Sequence, residues 1–191
     1  MFKKIPYQQS QPILQRFELS KDAAACVSAA MPPAEIVSIL QANKLNIDLV
    51  NFFCHALPMR EVIWWACLAV ELRLDDWNAE EQRVIADCKR WVQEPTEPGR
   101  RTAETQVEKL GVKCAPGWLA QSVFWNGSGS LAKPGQPVVL PPEFLYSKAA
   151  AGAINTAAVI PEWDGYENYC ARVIAMAIDL ARGGRGTPAD V

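Results

Sequence analysis

At 191 residues, 50% hydrophobic and 21% charged with a net charge of −2, the chain can bury a substantial core and has the composition of a soluble globular protein. Lys and Arg are interspersed with Asp and Glu, so there is no basic field to neutralise a run of phosphates, which excludes nucleic acid as an expected partner. The longest apolar run, Val62 to Val70, falls far short of a bilayer and no signal-like run precedes it. A cytoplasmic location with no membrane partner is therefore expected.

The first 17 residues, interrupted by Pro6 and Pro12, predict an extended or partly ordered arm. Residues 18–183 carry recurring helix punctuation and read as a single helical domain, and residues 184–191 as a flexible tail. Ser20 is an expected N-cap for an alanine-rich helix that Pro32 stops. Pro32 and Pro33 open the next helix, where Ile36, Val37, Ile39 and Leu40 form an apolar stripe. Asn46 is expected to cap a third helix that closes at Pro58. The segment "PMREVIWWACLAVELRL" has charges only near its ends, which predicts a central, surrounded helix. Its neighbours Trp64 and Trp65 point about 100° apart and so need different packing partners.

Asn78 caps the next predicted helix, with Val84, Ile85, Cys88, Trp91 and Val92 inward, and Glu80, Glu81, Lys89 and Arg90 placed as the helix dipole favours. In "TEPGRRTAETQVEKLG" the inward positions are Ala103, Val107 and Leu110 and the stop is Gly111. Arg100 and Arg101 read there as a solvated pair that could otherwise hold an acidic partner or phosphate. A short helix, "APGWLAQSVFWNG", ends at Asn126-Gly127. Beyond Phe144 lies a small-residue-rich helix that a neighbour can approach closely. The last helix puts Tyr166, Tyr169, Val173, Ala177 and Leu180 on one side and stops at Gly183-Gly184. The expected fold is all-α, a compact bundle of about eight or nine helices with one long Gly/Pro-rich loop.

That loop, "NGSGSLAKPGQPVVLPP", carries the main functional question. A helix precedes Gly127 and Pro134 follows Lys133, so the elements of a phosphate loop are missing. "NGSGS" also lacks the pattern and setting of a serine elbow. What remains is a flexible turn followed by an extended proline-rich run from Pro134 to Pro142, bordered by Phe124, Trp125, Phe144 and Tyr146. An ordinary structural wrap and a partner-binding surface both fit it.

His55 is the only histidine and the six cysteines are scattered singly without a C-x-x-C pair, so neither a metal nor another cofactor is expected. The thiols read as small buried hydrophobes and His55 as a helix-end residue near terminal carbonyls. Arg60 and Glu61 could form a polar pair within an apolar helix. General acid–base chemistry needs two positioned groups, and only Glu61 presents itself, so no catalytic residue is assigned.

The segments "ALPMREVIWWACLAVE", "WVQEPTEPGRRTAE" and "GWLAQSVFWNGSGSLAKPGQPVVLPPEFLYSKAAAGAI" together resemble an uncharacterised bacterial family often encoded near type VI secretion genes. The resemblance covers roughly residues 45 to 182 and is most specific in Pro-x-Arg-Glu-x-x-Trp-Trp and Phe-Trp-x-Gly-x-Ser. Where that family carries Gly-Gly-Ser or Ser-Gly-Gly-Ser, this chain has Ser128 between two glycines and Ser130 after them, which weakens a chemical requirement for the loop serine. The resemblance implies a cytoplasmic accessory protein, an adaptor or chaperone for a secreted effector or spike component. It lends no activity.

Two functions follow as expectations. The first is a non-enzymatic protein-interaction module whose binding residues are Phe124, Trp125, Ser128, Ser130, Arg60, Glu61, Phe144 and Tyr146. The alternative is a small helical enzyme or small-molecule binder with a site near Arg60, Glu61 and the Gly127–Ser130 turn. The sequence leaves the oligomeric state open.

Overall fold

Ten α-helices and two 3-10 turns make up the regular structure of residues 2–187, the part of the chain that the computed structural model describes. Among these residues there is no β-strand, so the all-α expectation holds, with a slightly higher helix count than anticipated. The chain divides into two compact units, one formed by the residues up to Pro58 together with those from Glu167 onward, the other by Met59–Tyr166.

The first unit contains α1 (Gln11–Leu14), α2 (Lys21–Cys26), α3 (Pro33–Ala42), α4 (Asn46–Ala56) and nearly all of α10 (Tyr166–Arg182). Its N-terminal arm is docked: Ile5 and Ile13 are buried, Lys4 N–H donates to Ala181 O, and Ser10 donates through both N–H and Oγ to Met31 O. Ser20 caps α2 as expected, accepting from Ala23 N–H, while its own N–H and hydroxyl donate to the buried Asp48 carboxylate. That helix ends at Cys26, well before Pro32, because Val27 already turns extended. Asn46 is not a cap; it is the first residue of α4, and Leu45 holds the cap position without a side-chain hydrogen bond. Asn46 therefore leaves the first amides of α4 to other partners.

His55 sits at the end of α4, as expected, but is wholly enclosed there. Its Nδ1 lies 2.8 Å from Asn51 O, its ring stacks on Phe17, and its carbonyl accepts from Arg16 Nη1. Helix α10 closes on a pair of backbone bonds, Gly183 N–H to Leu180 O and Gly184 N–H to Asp179 O, the pattern of a Schellman stop. Gly186 N–H also donates to the Asp179 carboxylate. The rest of the expected tail, residues 188–191, lies outside the described residues.

The second unit contains α5 (Met59–Glu71), α6 (Ala79–Gln93), α7 (Glu97–Leu110), α8 (Ala115–Phe124) and α9 (Leu145–Ala158), with 3-10 turns at Leu74–Asp76 and Trp163–Gly165. In α6 all five predicted inward residues are buried, and Asn78 and Glu81 form a reciprocal capping box. In α5 Val62, Ile63 and Trp65–Val70 are buried; Trp64 is only half-buried, with the Lys89 ammonium 5.6 Å from its ring and bonded to both Glu71 oxygens. The two indoles thus meet different surroundings, as their spacing requires.

The hub of this unit is α8, which packs on α5, α6, α7 and α9. Nine of its ten residues are buried. Its contact with α9 is the most extensive; α9 buries mostly small side chains, Ala149, Ala150, Ala153 and Ala157 among them, and Gly152 lies against the Trp118 ring, so the helices can approach. Because α8 ends at Phe124, whatever leaves its C-terminus is anchored on the best-packed element of the unit.

Candidate functional site

The chain leaving α8 is held by α7. Arg100, expected in solvent, has a side chain that is 0% exposed. Its Nη1 donates to Phe124 O at 3.0 Å and its Nη2 to Ser130 O at 2.9 Å. The remaining donors meet one carboxylate one turn earlier: Nε to Glu97 Oε2 at 2.6 Å and Nη2 to Glu97 Oε1 at 2.7 Å. The guanidinium carbon lies 5.1 Å from the Phe124 ring centroid, a cation–π contact. A planar, always-charged fork can serve these four acceptors at once, and burying it is tolerable only because each is present.

Arg101 adds a second brace from the next position. Its Nη2 donates to Ser130 O and Ala132 O, while Nε and Nη1 engage Glu97 and Glu104. Hydrogen bonding to Arg100, then to Arg101, holds the Glu97 carboxyl below the usual glutamate range.

The residues between these anchors are shaped to fit. Asn126, 5% exposed, receives Ser128 N–H on Oδ1 and donates Nδ2 to Val123 O, turning the chain out of α8. A Cβ on Gly129 would lie 2.7 Å from Arg100 Nε, so only glycine lets the backbone pass over the guanidinium. Ser130 Oγ accepts from Ala132 N–H and Val139 N–H, both at 3.0 Å. The Gly127–Ser130 segment, expected to be a flexible turn, is thus a braced one.

Beyond it the strap doubles back on itself. Gln136 N–H donates to Lys133 O, with Pro134 and Gly135 (φ 86°) at the central positions, which makes a type II turn. Leu131 N–H donates to Val139 O at 2.7 Å. The following residues stand in solvent: Val138 is 75% exposed, Val139 53% and Leu140 60%. Three consecutive large apolar side chains outside a core are unusual for a chain that buries so much else. Phe144, in the left-handed region at φ 59°, then redirects the chain into α9.

The sequence-predicted residues fall into three groups. Phe124 and Ser130 belong to the clamp. Trp125, half-buried at the end of α8, and exposed Ser128 flank it, and the Phe144 and Tyr146 rings lie 6.3 Å apart at the strap's far end. Arg60 is engaged elsewhere: its guanidinium donates to Val92 O and Gln93 O, capping the C-terminus of α6. Glu61, beside it in the first turn of α5, is half-buried. The polar network that would have joined Arg60 to the Gly127–Ser130 turn is supplied by Arg100 and Arg101 instead.

A family model matches residues 36–181, a span that takes in both arginines, α8 and the whole strap. The chain belongs to the family of unknown function DUF6931. The anticipated uncharacterised family is thus confirmed at that level, and the DUF6931 match begins somewhat earlier than the segments that suggested one. No curated protein and no solved structure matches the chain.

Two grooves of about 500 and 460 Å³ run along α6, the first lined by Glu71, Gln82 and Lys89 among others, the second by Arg83, Asp87 and Gln106. They use none of the predicted site residues. Four of the six cysteines are buried, and burial raises the thiols of Cys54, Cys67 and Cys88 far above their ordinary range, so they remain protonated packing groups. Among the described residues no helix is long and apolar enough to cross a membrane.

Proposed function

We propose that this protein is a non-enzymatic protein-interaction module, an adaptor or chaperone-like accessory protein that offers its strap to another polypeptide. The observation that carries this reading is the exposure of Val138, Val139 and Leu140 on a loop whose base is fixed by a fully buried arginine. A loop meant only to connect α8 to α9 has no need of so costly an anchor, whereas a binding loop gains from one, since a preordered surface loses less entropy on association. The partner is a type VI secretion effector or spike component; support for that choice is the likeness of three sequence segments to proteins encoded near such genes.

The enzymatic alternative has weaker support. Arg60 serves the end of α6, and the Ser130 hydroxyl accepts two backbone amides, which is the work of a loop brace.

The test is recovery of partners from the native host with the tagged chain and with a Val138→Asp/Leu140→Asp variant. A secretion effector or spike component should come down with the first and not the second, while circular dichroism shows both folded. Equal recovery by the two, or recovery of nothing by either, rejects the proposal.

A further inference from the structure

Two hydrogen bonds fix the direction in which the strap's backbone faces. Val139 donates its N–H to Ser130 Oγ and accepts from Leu131 N–H, so both its backbone groups point into the loop. Along an extended chain successive residues direct these groups to opposite sides. Those of Val138 and Leu140 therefore face outward, and among the described residues neither is engaged in a hydrogen bond. Pro137 and Pro141 bound the segment and have no N–H to extend a ladder. The result is a short open edge offering the N–H and C=O of Val138 and of Leu140.

We propose that this edge pairs with the same edge of a second copy of the chain, antiparallel, about a two-fold axis at Val139. In that register Val138 N–H donates to Leu140 O of the second copy, and Leu140 N–H of the second copy donates to Val138 O. Symmetry repeats both bonds, so every open group of both edges is satisfied. Pro137 falls opposite Pro141 at each end, and the ladder stops there. The run Pro-Val-Val-Leu-Pro reads almost the same in either direction, so the pairing sets Val139 on Val139 and Val138 on Leu140. Exposed Lys133 and Glu143 lie on opposite sides of Val139 in the chain, and antiparallel pairing brings unlike charges toward the same end. The pairing also covers three apolar side chains that each chain otherwise leaves in water. It concerns the free protein and uses the same surface that a heterologous partner would take, so the two exclude each other on one copy.

Disulfide trapping tests it on the full chain. Directly opposed residues in a non-hydrogen-bonded antiparallel pair have Cα atoms about 4.5 Å apart, within disulfide reach. Under mild oxidation Val139→Cys should form a covalent dimer at least fivefold more than Gln136→Cys, Glu143→Cys or the unmodified chain. Light scattering should show the native mass moving toward twice the chain mass as concentration rises, and Val138→Asp/Leu140→Asp should hold it at one. A monomer at every concentration, crosslinking at position 136 or 143 equal to that at 139, or a dimer that survives the double aspartate variant would overturn the pairing. So would a co-purifying protein that shields the introduced thiol in a stoichiometric complex.

Discussion

The two halves of one loop are built on opposite principles. From Gly127 to Ala132 the backbone is gripped by Arg100 and Arg101, and its carbonyls are spent on buried or half-buried guanidinium groups. From Lys133 to Glu143 the chain is held by its own turn and by two contacts at Val139, with its apolar side chains in solvent. Display of hydrophobic residues at this surface thus depends on a charged residue inside. Without the grip below, the apolar tip would be free to collapse onto the nearest groove.

The largest expected effect is at the grip. Arg100→Met leaves Phe124 O unsatisfied, while Ser130 O keeps Arg101, and should cost about 2–4 kcal/mol, from about 1–3 kcal/mol for the one unsatisfied buried group and about 1 kcal/mol for the lost cation–π contact with the Phe124 ring. A urea midpoint unchanged from the native chain would show that the base does not depend on it. Gly129→Ala forces a methyl against the same guanidinium and should cost about 1–3 kcal/mol, read the same way. Ser130→Ala removes the acceptor for two amides and should cost about 1 kcal/mol. Its sharper readout is faster hydrogen exchange at Ala132 and Val139 with exchange in α8 unchanged.

Acid should loosen the base before the tip. Glu97 is held below its ordinary range chiefly by its hydrogen bond to Arg100, so it binds its proton less readily in the folded chain than in the unfolded one. Its contribution is complete above the unfolded value of about 4.3 and is lost as pH falls from there through the lower folded value. Half-exposure of Glu97 keeps the effect modest. Glu97→Gln should flatten the pH dependence of unfolding in that window; an unchanged profile would remove Glu97 from the account. Smallest of all, Val138→Asp/Leu140→Asp should leave the stability of the single chain, read at a concentration below that of self-pairing, within about 0.5 kcal/mol, since nothing within one chain's fold rests on those side chains. A larger loss would mean that the tip is packed after all.

Much of the scaffold was legible in the sequence because its signals are local. The inward face of α6 follows from 3.6-residue spacing, and its start from an Asn–Glu pair three residues apart. The close α8–α9 contact follows from a run of alanines. The clamp was not legible, since a buried arginine and a solvated one look alike in composition, and its acceptors lie 24 and 30 residues along the chain. One signal was available: Arg100 stands one turn before Ala103 on the same inward stripe, with Glu97 a turn earlier. Val107 and Leu110, placed inward with Ala103, prove only half-buried, so the stripe holds at its N-terminal end, where Arg100, read as solvated, extends it instead. The Gly-Ser composition of residues 127–130 suggested mobility, whereas Gly129 is small to admit the guanidinium.

Arg100 also decides where a pull on the strap is felt. Its guanidinium ties Ser130 to the last carbonyl-bearing turn of α8, so tension applied at Val138–Leu140 reaches the helix against which α5, α6, α7 and α9 all rest. A molecule tugging on this tether loads the keystone of the Met59–Tyr166 unit and not a loose fringe of chain.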